Sequence, residues 1–113
     1  MGILAGMETR VRYAEIRPYT VPDSLSELTG PTDGFVELPI DLDWSQQRRY
    51  DLAVDKDRRR LYETVIREAM SPAELTRFLH AGLLLQLWPS LWLPPRARSL
   101  WQEKFPELRW IAA

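Results

Sequence analysis

The sequence predicts an α+β fold: a small single domain in which an N-terminal antiparallel β-hairpin or small sheet packs against three or four short C-terminal helices. Three observations predict it. Apolar residues alternate with period two through residues 34–44, they recur at helical spacing from residue 55 onward, and nine prolines in 113 residues cut the chain into short elements. A chain of this length forms about one domain around a single core. Its 45% hydrophobic and 27% charged residues are a globular balance. The expected division is an N-terminal extension over residues 1–20, mobile or an edge strand, and one α+β domain over residues 21–113.

Each element has a local reason. In the extension, "RVRYAEI" alternates weakly, and Met7 offers a second start. In "VPDSLSELTGPTDG", Asp23 or Ser24 is placed to cap one short helical turn that Gly30 closes. "GFVELPIDLDW" then sets Val36, Leu38, Ile40, Leu42 and Trp44 on one strand face and Glu37, Asp41 and Asp43 on the other. Pro39 marks an edge or a bulge there. Tyr50, Leu52 and Val54 resume the alternation after "SQQRR", so the two runs read as a hairpin whose apolar face needs a cover. Asp55 is expected to cap "KDRRRLYETVIREAM", in which Leu61, Tyr62, Val65, Ile66 and Ala69 form one stripe. "SPAE" reads as a capping box: Ser71 caps, Pro72 takes the first helical position and Glu74 bonds back, with Leu75, Phe78, Leu79 and Leu83 lining the helix that follows. "LLLQLW" ends before Pro89, "SLWL" crosses in extended form, and Pro94 and Pro95 open a last helix that points Leu100, Trp101 and Phe105 inward until Pro106 stops it.

Composition narrows the function. With no cysteine there is no disulfide, thiolate nucleophile or sulfur-ligated metal. The start "MGILAGMETR" lacks the basic and apolar regions of a signal peptide, and no run reaches the roughly 18 to 20 apolar residues of a membrane span. The greasiest stretch, "GLLLQLWPSLWLPP", is interrupted by Gln86, Pro89 and Ser90. A cytoplasmic protein that does not enter membranes is the expectation. A net charge of −1 argues against a dedicated nucleic-acid binder, although residues 1–57 carry a net −5 and residues 58–113 a net +4. That asymmetry suits either two sub-regions attracting each other or a basic face offered to an acidic partner.

No catalytic set emerges and no cofactor is implied. The single histidine, His80, has no evident orienting partner. Asp41 and Asp43, a residue apart on a strand, point the same way and could hold a divalent cation; a solvated polar strand face near a turn is the simpler reading. The arginines fall into groups. Arg58, Arg59 and Arg60 at the start of a helix could contact DNA phosphates, while ion pairs with nearby acids explain the same residues. Five tryptophans exceed what so small a core comfortably buries. Filling the core is the default for Trp44, Trp88 and Trp101; Trp92 and Trp110 are the candidates for exposure. A partner-binding surface is therefore expected among Trp88, Trp92, Trp110, Arg96 and Arg98.

The succession "PDSLSELTGPTDGFVELPIDLDWS", "YDL", "RLYETVIREA" and "ELTRFLHAGLLLQLWPSLWLPPRARSLWQEKFPEL" resembles a group of small actinobacterial proteins described as hypothetical proteins or transcriptional regulators, encoded beside nucleotidyltransferase toxins of the abortive-infection (AbiEii-like) type. The likeness covers about residues 22–108 and is strongest at "LPIDLDWS" and "LWPSLWLPPRARSLWQEKFPEL". It implies a non-enzymatic antitoxin or accessory partner of such a toxin, with a small DNA-binding transcriptional regulator as the alternative. It transfers no catalytic or binding residue.

Overall fold

The computed structural model describes residues 19–43 and 49–112, with side chains through Arg109. The edge-strand reading of "RVRYAEI", the second start at Met7 and the inward face of Trp44 fall outside the described residues.

The first ordered turn is a short 3-10 helix, Leu25–Glu27, capped by Ser24, whose hydroxyl accepts the Ser26 N–H at 3.3 Å. Leu28 to Gly30 then run against Leu79 to Ala81. Ala81 N–H donates to the Leu28 carbonyl at 2.9 Å and Gly30 N–H to the Leu79 carbonyl at 2.7 Å. This approach requires glycine, because a Cβ on Gly30 would lie 2.7 Å from the Phe78 carbonyl carbon.

Two antiparallel strands follow, β1 (Phe35–Glu37) and β2 (Arg49–Asp51), in the register Phe35↔Asp51, Val36↔Tyr50, Glu37↔Arg49. The hairpin is present, but β1 is shorter than the alternation predicts. Past Glu37 the chain turns at Pro39, whose carbonyl accepts both Leu42 N–H at 3.0 Å and Asp43 N–H at 3.1 Å. The turn resets the two-fold alternation. Ile40, expected inside, is 60% exposed, while Asp43, expected on the solvated face, is buried and accepts a hydrogen bond from the Tyr50 hydroxyl. Val54, also expected inside, is largely exposed.

Five α-helices complete the described fold: α1 (Asp55–Glu68), α2 (Pro72–Phe78), α3 (Ala81–Leu87), α4 (Pro95–Lys104) and α5 (Glu107–Ala112), with a second 3-10 turn at Trp88–Ser90. The α1 stripe of Leu61, Tyr62, Val65, Ile66 and Ala69 is buried as its spacing requires. Asp55 is not its cap. Val54 holds that position without a side-chain bond, and Asp55 is the first helical residue, where it binds Arg58 and Arg59. At α2, Pro72 takes the first turn, but the Ser71 side chain forms no cap bond and Glu74 accepts the Met70 N–H at 2.7 Å, one residue before the cap. Helix α2 ends at Phe78 instead of running on to Leu83, because Leu79 and His80 are extended to meet Thr29. His80 then starts α3, its Nδ1 accepting the Gly82 N–H at 3.0 Å.

One core joins both halves. Val36, Leu38, Tyr50 and Leu52 of the hairpin region belong to the same buried cluster as Leu61, Val65, Leu75, Leu84, Trp88, Ala97, Trp101 and Leu108. The fold class is α+β, and no described helix is long and apolar enough to cross a membrane.

Candidate functional site: an exposed indole on a fixed strap

The segment between the second 3-10 turn and α4 is extended, so its side chains alternate. Leu91 and Leu93 point into the core and are buried; Trp92 between them is 82% exposed. The backbone of this strap is held at several points. Leu91 N–H donates to the Trp88 carbonyl at 3.2 Å, and the Leu91 carbonyl accepts from Arg98. Trp92 N–H donates to Glu63 Oε2 of α1 at 2.7 Å. Pro94 and Pro95 lock the exit into α4. The indole is thus presented on a braced support rather than a loose loop, which lowers the entropy lost when a partner covers it.

The remaining residues of the expected surface divide. Arg96 is exposed in the first turn of α4, four residues beyond Trp92, and makes no ion pair among the described residues. Trp88 is fully buried and cannot touch a partner in this fold. Its ring lies 6.2 Å from that of Trp101, which in turn lies 6.0 Å from Phe105. Both indole N–H groups, of Trp88 and Trp101, are buried without a described acceptor. Arg98 belongs to that layer too: its guanidinium sits 4.8 Å from the centre of the Trp88 ring. Desolvation lowers its pKa from the ordinary arginine value. Its bond to the Leu91 carbonyl makes it a brace for the strap. Trp110 lies in α5 by its backbone, and its side chain is outside the described part.

The three arginines of the nucleic-acid reading are also separated by the fold. Arg58 and Arg59 both bind the Asp55 carboxylate. The Arg58 hydrogen bond is the largest influence holding the Asp55 carboxyl below its usual pKa. Arg60 is exposed, with no ion pair among the described residues. It stands three residues before Glu63 and so on the same side of α1. Trp92, Arg60 and Arg96 thus give a solvent-facing aromatic anchor and two cations with no ion pair among the described residues.

The chain matches no family model, no curated protein and no solved structure.

Asp41 and Asp43 do not share a strand face. Asp41 is exposed in the turn after Pro39, while Asp43 is buried against Tyr50, so the side-by-side carboxylates expected from the strand reading are not formed. Among the described residues no group of three or more histidine, aspartate or glutamate side chains gathers in metal-binding geometry. Sequence reasoning missed Glu63, which positions Trp92 from 29 residues away. No local pattern could have flagged that contact. Trp92 itself was legible, because the "LWL" alternation between prolines sends the middle residue outward.

Proposed function

We propose that this chain is a non-enzymatic protein-interaction domain acting in the cytoplasm as the antitoxin or accessory partner of a nucleotidyltransferase-type toxin, with Trp92 as the anchor and Arg96 and Arg60 as the accompanying cations. The observation that carries the reading is the 82% exposed indole of Trp92 on a strap braced by Glu63 and Arg98. Tryptophan and arginine are the residues most enriched among those that dominate binding energy. Two cations without acidic partners among the described residues favour a partner whose contact surface is acidic. The lone histidine supports a non-enzymatic role, since its Nδ1 is occupied in capping α3. The choice of toxin class rests on the sequence resemblance.

The test is co-expression with the product of the neighbouring gene, which this reading expects to be a nucleotidyltransferase. Wild-type protein should co-purify with it and relieve its toxicity, whereas Trp92→Ala with Arg96→Glu should lose both while melting like wild type. If the wild-type chain neither co-purifies nor relieves toxicity, the reading fails. The regulator alternative is separated by a mobility shift on the chain's own promoter at two salt concentrations, where phosphate-driven binding must weaken as salt rises.

A further inference from the structure

Among the described residues the hairpin has one covered edge and one open edge. Leu52 N–H donates to the Gly34 carbonyl at 2.9 Å. With the observed register, Gly34–Leu52 and Val36–Tyr50 are therefore the hydrogen-bonded pairs of the ladder. The backbone groups of Phe35 and Glu37 must then point away from β2, and those of Asp51 away from β1. On the β2 side, Asp57 Oδ2 accepts the Asp51 N–H at 3.0 Å and closes that edge. On the β1 side, no described strand pairs with Phe35 or Glu37.

The side chains along this edge are unusual in the same place. Glu37 and Arg49 face each other across a non-hydrogen-bonded pair, the geometry that brings side chains closest. They nevertheless form no ion pair. Arg49 instead leans diagonally, its guanidinium 4.3 Å from the centre of the Phe35 ring, and Phe35 remains 60% exposed. Among the described residues the edge thus offers unpaired backbone groups, an exposed aromatic ring, a cation and a carboxylate.

We propose that β1 pairs antiparallel with β1 of a second copy of this chain, about a two-fold axis through Val36, to give a four-stranded sheet. This register pairs Phe35 of each copy with Glu37 of the other, so the N–H and C=O of both outward-pointing residues in both copies are satisfied. It sets the second copy's Glu37 beside Phe35, within reach of the Arg49 stacked on that ring, and symmetry makes the contact twice. A register centred on Glu37 would oppose two carboxylates. One centred on Phe35 would need Asp33 and Gly34 as extended partners, and Gly34 has a φ of 80°. The pairing is short, bounded by Gly34 and Pro39, so the dimer forms in a concentration-dependent way. The interface uses none of Trp92, Arg60 and Arg96 and stands whether or not those residues bind a toxin.

Analytical ultracentrifugation of the full chain over a concentration series tests this. Wild type should show a monomer–dimer equilibrium. Glu37→Arg and Arg49→Glu should each weaken it about tenfold, and the two together should restore it, because the swapped charges meet again across the axis. Glu37→Pro removes only an outward N–H that the hairpin does not use, so it should keep the wild-type melting temperature and lose the dimer. A wild-type chain that stays monomeric into the high-micromolar range overturns the proposal. So does a dimer that survives Glu37→Pro and both charge reversals, or one that is abolished by Trp92→Ala instead.

Discussion

Tyr62 shows how much one buried hydroxyl can hold. It accepts the His80 N–H at 2.9 Å and faces the His80 carbonyl at 3.5 Å, joining α1 to the extended step between α2 and α3. Burial raises its pKa from 10.0 to about 12, outweighing the opposing effect of the His80 backbone bond. The folded state therefore favours the neutral phenol. Below pH 10.0 folded and unfolded chains are both protonated at this site and its contribution is complete; between pH 10.0 and about 12 the unfolded chain ionises first and stability falls. Denaturant unfolding across the alkaline range should show this loss in wild type and a flatter profile in Tyr62→Phe. At neutral pH the variant should be less stable by about 1 kcal/mol, because the half-buried His80 N–H is left without its acceptor.

Among the elements, the break between α2 and α3 is the most informative. The apolar spacing of Leu75, Phe78, Leu79 and Leu83 is that of one continuous helix, yet the chain opens at Leu79 and His80 to pair with Leu28 to Gly30. The new helix then needs a cap, which the imidazole supplies. His80→Ala should cost about 1 kcal/mol of stability and speed hydrogen exchange at the Gly82 amide. The 3.6-residue period cannot report such a break, because Leu79 is buried either way. The hairpin shows the same limit: the alternation of Val36, Leu38 and Leu42 is apolar as a strand requires, but two hydrogen bonds to the Pro39 carbonyl turn the backbone and exchange the fates of Ile40 and Asp43.

For the whole molecule, the tryptophans separate core from surface. Trp88 and Trp101 are fully buried and pack ring against ring in the core, with Arg98 over the first ring. Trp92, four residues after Trp88, faces solvent. Trp88→Ala should therefore destabilise the domain by about 3–5 kcal/mol in chemical denaturation. Trp92→Ala should change stability by less than about 0.5 kcal/mol and act only on partner binding. Equal losses in the two variants would show that Trp92 belongs to the core. Of the ion pairs described, Lys104 with Asp23 at 3.8 Å joins the helical end to the first turn, while those of Asp55 and Glu68 are local to α1.

By itself the sequence determined the α+β class, the hairpin, the stripe of α1, the proline boundaries of α4 and the outward place of Trp92. Those follow from side-chain periodicity and from backbone restrictions that act within a few residues. Only the tertiary structure decided where α2 stops, which carboxylate is buried, that Trp88 and Arg98 serve the core, and that Glu63 fixes the strap. Each of these depends on a partner far away in the chain, and a local pattern carries no record of which distant group will satisfy a buried donor or fill a given space.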